Sequence, residues 1–150
     1  METCVVVSDR EWYERKPTEA LEVWFAQRGV ACAPVVPSMI ALPNAKPLRC
    51  FQNVLDYAER HPTRWQPCWG WSLLPSFHEC NKFGLECHAV LQNKKTLALV
   101  DVTPDLEFPG RPKLFVRDAS VESLVKRGVL SDSVGACTRC CRTFGAAQPS

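Results

Sequence analysis

The sequence predicts one α+β domain in which a helix packs on an antiparallel sheet, and three observations predict it. Residues 48–60 place apolar side chains at spacings of three and four. Residues 86–92 and 96–103 read as strands joined by the polar connection Asn93-Lys94-Lys95, which has hairpin length. The 150 residues, 46% hydrophobic and 23% charged, suffice for one core and leave no room for a second domain.

The elements follow in chain order. Cys4 to Val7 is short, apolar and β-branched, hence a strand. Thr18 to Gln27 carries Ala20, Leu21, Val23, Trp24 and Phe25 ahead of Gly29, the pattern of a helix and its terminator. Val30 to Val36 resembles a strand closed by Pro37, and Pro43 to Pro47 is a loop. The helix from about Leu48 to Arg60 buries Phe51, Val54, Leu55 and Ala58, and His61-Pro62 ends it. Trp69 to Leu74 is the first strand of the sheet that follows. After the hairpin come an irregular loop from Pro104 to Pro112, a short strand at Phe115-Val116 and a helix from Ser120 to Arg127. A single domain spanning 1–150 is expected, with a loosely ordered tail over about 142–150.

Charge and composition narrow the partners. A net charge of +2, with scattered basic residues, does not favour a polyanion, so no nucleic-acid role is assigned. The N-terminus mixes acidic and basic residues around Val5 to Val7 and lacks a secretory core, and no apolar run approaches the roughly 18 residues of a membrane span. A soluble, cytoplasmic chain without a membrane partner is expected. Nine cysteines is an odd number in a chain long enough to fold without staples, so most are read as thiols, with Cys4 and Cys32 as small apolar residues.

The chemistry gathers around three residues. Cys50 falls in the first turn of its helix, where unpaired N–H groups and the helix dipole favour a thiolate and can also hold an oxyanion. If the hairpin turns between Lys94 and Lys95, residues whose numbers sum to 189 face each other, which opposes His88 and Asp101 directly. A carboxylate there fixes the imidazole's tautomer and leaves its other nitrogen for a thiol. Cys50, His88 and Asp101 are thus the predicted catalytic set, with no cofactor.

The runs Cys50-Phe-Gln-Asn-Val, Gly70-Trp71, Cys87-His88-Ala-Val and Leu99-Val-Asp101-Val-Thr-Pro104 resemble the core of transglutaminase-like enzymes within the papain-like thiol superfamily, over residues 43–104. The resemblance implies a Cys50 nucleophile, a His88 base and an orienting Asp101. It further implies acyl-enzyme chemistry, hydrolytic or transferring, on an amide, ester or thioester of a peptide, a protein side chain or a small molecule. The family's second oxyanion donor has no clear counterpart. Asn44 is a donor upstream of Cys50 or a turn residue beside Pro43; Asn53 either contacts the site or bonds locally. Trp71, with Trp65 and Trp69, walls a cleft or packs in the core, and Glu86 alternates with His88 toward the site or into solvent.

Two other readings compete. Cys137-x-x-Cys140-Cys141 suggests a zinc-binding structural or interaction module, with Cys137 and Cys140 as ligands, although a second close-spaced pair is lacking. The same fold also suits a catalytically silent binder of a peptide or small molecule.

Overall fold

A computed structural model of the chain describes residues 19–47, 49–75, 82–104, 113–127 and 142–145. The strand expected at Cys4–Val7 and the cysteines at 80, 137, 140 and 141 lie outside these residues, as does most of the expected loop after Pro104.

Helix α1 spans Glu19–Gln27. It ends where Gly29 takes a φ of +71°, a left-handed conformation that glycine adopts without steric cost. Gly29 N–H then bonds Ala26 O and Val30 N–H reaches back to Phe25 O, so the last turn keeps its carbonyls satisfied. Phe25 is fully buried.

The strand expected at Val30–Val36 does not form. Pro34 and Pro37 have no N–H to give a ladder, and what remains is a single bridge from Val35 to Phe115 and the two-residue strand β1, Ser38–Met39. Helix α2 spans Cys50–Arg60, and Cys50, Phe51, Val54 and Ala58 are its buried residues. Leu55, expected in that stripe, is 39% exposed on the other side.

Two long strands follow, β2 (Trp65–Pro75) and β3 (Lys82–Asn93), antiparallel from Trp65↔Asn93 to Pro75↔Phe83. Strand β4 (Leu99–Asp101) adds to β3 and β5 (Leu114–Arg117) to β2, both antiparallel, while β1 lies parallel to β4. The sheet is therefore mixed, in the order β1-β4-β3-β2-β5. Helix α3 spans Ser120–Lys126. Strand β6 (Arg142–Gly145) pairs with β3, so part of the segment expected to be a loose tail is tied into the sheet.

The faces of this sheet are unlike. Trp69, Trp71 and Leu73 of β2, Cys87, Ala89 and Leu91 of β3, Val100 of β4 and Val116 of β5 share one hydrophobic cluster with Phe25, Phe51, Val54 and Val121 of the helices. Strand pleating sends the alternate residues to the opposite face, where Cys68, Val90 and Phe115 form a second cluster with Leu99 against it.

That second face is folded in on itself. Val35 pairs with the outer side of β5 and Ser38 with the outer side of β4. In a flat sheet those positions would be five strand spacings apart, about 24 Å at ~4.8 Å each. The three residue steps between them reach about 11 Å at most. The sheet must curl until its edges approach, and the residues it encloses are those of the face without helices. This explains why His88, Asp101 and Ser72 are 4%, 2% and 1% exposed although no described helix covers them.

Candidate active site

The hairpin that carries the site is offset by two positions from the expected register. Leu91 faces Val100 and Gln92 faces Leu99, which carries Asp101 opposite Val90 instead of His88. The turn is the reason. A two-residue hairpin turn needs positive φ at its centre, which two adjacent lysines resist. The chain instead makes a longer loop in which Leu97 takes a φ of 64°. Asn93 organises it: its side-chain oxygen accepts N–H bonds from Lys95 and Thr96, and its own N–H pairs with Ala98 O.

A shift of two preserves the side of the sheet on which each residue sits. His88 and Asp101 remain on one face as diagonal neighbours, and the Nε2–H of His88 donates to Asp101 Oδ2 at 2.8 Å. The other carboxylate oxygen accepts the backbone N–H of Thr103 at 3.1 Å. Thr103 is held in turn by Asn53, whose Nδ2 donates to Thr103 Oγ1 at 3.1 Å.

Burial opposes charge on both members of the pair, and the pairing outweighs it. The carboxylate of Asp101, by proximity and by hydrogen bond, holds the imidazole above its ordinary pKa despite burial, with Glu86 adding to the effect and Lys113 opposing it. Asp101 is held below the usual carboxylate range by His88 and by the Thr103 N–H. Each partner thus favours the charged form of the other in the low-dielectric interior of the curl, and the contact engages the ring through Nε2. Phe115 lies edge-on to the imidazole with ring centres 6.3 Å apart.

Cys50 occupies the first position of α2, as expected, and is buried at 3% exposure. It belongs to the helix-side cluster with Phe51, Ala89 and Val102. The pleat that turns Cys87 and Ala89 toward α2 turns His88 away, so the sheet lies between thiol and ring. Among the described residues Asp101 is the hydrogen-bond partner of the His88 ring, and the expected direct Cys50–His88 relay is not assembled.

The remaining predicted residues are engaged elsewhere. Asn53 clamps the preceding loop to α2, accepting the N–H of Lys46 at 3.0 Å and donating to its carbonyl at 2.9 Å; with Thr103 this spends its amide on structure. Asn44 sits in a turn. It lines a hollow of about 140 Å³ together with Asn53, Tyr57 and His61, and neither Cys50 nor His88 reaches that hollow. Trp71 is a core residue whose Nε1–H donates to Asp118 Oδ2 at 2.9 Å. Trp69 packs on Phe51 and Trp65 on Tyr57. Glu86 is half-buried on the same row as His88.

Sequence reasoning missed Asp118. This carboxylate is 1% exposed and gathers Trp71, Arg28 at 3.0 Å and Ser120, fastening α1 and α3 to the sheet. Its hydrogen bonds with Ser120, Trp71 and Arg28 hold it below the usual carboxylate range despite burial. An aspartate two residues ahead of the Ser120 helix is a helix-start signal and marks the position. Burial pushes the Cys32 thiol up to about 11, and Cys68 upward as well, as suits small apolar residues. Among the described residues no three histidine, cysteine or acidic side chains converge as metal ligands, and the Cys137–Cys141 segment lies outside them. No family model, curated protein or solved structure matches the chain.

Proposed function

We propose that this chain is an acyl-processing enzyme, acting on an amide, ester or thioester, whose proton-transfer centre is the His88–Asp101 dyad. The observation that carries the reading is the buried 2.8 Å contact between Nε2 and the carboxylate. A carboxylate so placed fixes which ring nitrogen bears the proton and stabilises the imidazolium formed when Nδ1 accepts one from an attacking group. Cys50 is not assigned to this step, because its thiol belongs to the other side of the sheet.

Activity tests it. The purified chain is assayed on p-nitrophenyl acetate and on a fluorogenic amide, beside His88→Gln, Asp101→Asn and Cys50→Ala variants that keep the wild-type circular dichroism. His88→Gln is expected to lower kcat by about 100-fold or more, the usual contribution of a general base. Cys50→Ala is expected to retain the rate. The base must be neutral to act, so kcat/KM rises with pH through an apparent pKa above the ordinary histidine value of 6.5. A wild-type chain that turns over neither substrate class, or a rate indifferent to His88→Gln, overturns the proposal.

A further inference from the structure

We infer that Ser72 is the nucleophile served by the His88–Asp101 dyad, which makes the enclosed face of the sheet a Ser-His-Asp site for short acyl esters; the inference rests on the acyl-processing reading above. Register brings the three together. Gly70 pairs with His88 and Ser72 with Glu86, so Ser72 stands diagonal to His88 on the adjacent strand and the same face. Diagonal neighbours of this kind lie about 7–8 Å apart at the backbone, within reach of an imidazole. Asp101 completes the row from the other side of β3.

The second observation is independent of register. Among the described residues, Ser72 Oγ is the buried side-chain oxygen or nitrogen that makes no hydrogen bond, on a residue only 1% exposed. Leaving a buried hydroxyl unsatisfied costs about 1–3 kcal/mol, and a residue kept at that cost calls for a reason. A hydroxyl that turns to His88 only when a substrate carbonyl enters supplies one, the contact between Oγ and the ring not being made in this structure.

The surroundings set the substrate class. Glu86, directly across from Ser72, is the half-buried member of the inward row, whereas His88, Val90 and Gln92 are buried. Solvent therefore reaches this row at Glu86, next to the buried Ser72. Further in, Phe115 and Val90 fill the space, which limits the acyl group to a short one.

The step balances. Oγ forms a bond to the ester carbonyl carbon as its proton passes to His88 Nδ1, and the C=O pair moves onto oxygen. Collapse of the tetrahedral intermediate breaks the bond to the alkoxy group, which leaves with the proton from His88. Water, deprotonated by the same nitrogen, then cleaves the acyl-serine to release a carboxylic acid and restore Oγ–H.

The test uses a fluorophosphonate probe and p-nitrophenyl acetate on the full chain. Ser72→Ala removes an unsatisfied hydroxyl, so its fold is expected to be as stable as wild type or more so, which separates catalysis from structure. Expected are stoichiometric phosphonylation at Ser72, its loss in Ser72→Ala and His88→Gln, a fall in kcat of at least about 100-fold in Ser72→Ala, and faster turnover of the acetate than of p-nitrophenyl octanoate. Full activity in Ser72→Ala, with turnover still dependent on His88, overturns the inference and leaves the dyad reading standing. Labelling at another residue has the same consequence. An inert wild type that the probe does not label at Ser72 overturns both.

Discussion

Gly70 shows how narrowly one residue can be specified. A Cβ there would lie 2.1 Å from the Val116 carbonyl oxygen and 2.7 Å from the ring of Phe115. The backbone oxygen cannot yield without breaking the β2–β5 ladder, and the ring occupies the space over Gly70 through which it approaches His88. Gly70→Ala is expected to lower stability by about 3 kcal/mol, the upper part of the range for overfilling a packed site. A urea midpoint shifted down with an unchanged slope is the measurement that checks it. Its neighbour Trp71 points the other way and has a different task, anchoring Asp118. In the Gly-Trp pair, then, one residue admits the ring beside the dyad and the other fixes two helices to the far face.

At the scale of elements, the segment from Val35 to Met39 is decisive, since it ties the two outer strands together. Val35 N–H donates to Phe115 O at 2.9 Å, a bond that Val35→Pro deletes. That variant is expected to lose about 1 kcal/mol and to exchange the Phe115 amide proton at least tenfold faster, read by hydrogen exchange. The sequence displayed the elements better than their joins. Helix α2, the two central strands and the β3–β4 hairpin follow from periodicity at Phe51, Val54, Ala58, Ala89 and Leu91. The two-position offset arose because Asn93 builds a longer turn than its spacing suggested. His88 and Asp101 still met, because an even slip leaves each on its own face. The partition of Cys50 from His88 was also legible in principle: Ala89 and Leu91 pack toward the helix, and His88 alternates with them. The closure between Val35 and Phe115 was not, because a single bridge between one valine and a phenylalanine far along the chain leaves no period.

For the whole molecule, the enclosed ion pair makes stability depend on acidity. The raised pKa of His88 adds stability that is fully present below its unfolded value of 6.5 and is lost as pH rises through the folded value. The depressed pKa of Asp101 adds stability that is present above 3.8 and is lost as pH falls through its own folded value. The pair therefore contributes most between about pH 4 and 6.5. The stability difference between wild type and the double variant His88→Gln/Asp101→Asn is expected to peak in that window and shrink on both sides, as urea titrations at a series of pH values would show. Removing one partner alone is harsher. Asp101→Ala strips the imidazole of its partner, so that burial drives it toward the neutral form, and leaves the Thr103 N–H without its acceptor; the variant is expected to cost about 3 kcal/mol at pH 5.

The bridge between Val35 and Phe115 also bears on how the chain reaches this state. The β2–β3 and β3–β4 pairings join segments near in sequence, while the bridge requires a strand from late in the chain to find a segment from early in it. Such long-range contacts carry the greatest loop-closure entropy and form after the local ones. Weakening this bridge should quicken unfolding and leave the refolding rate nearly unchanged, a pattern that stopped-flow chevrons of Val35→Pro would record.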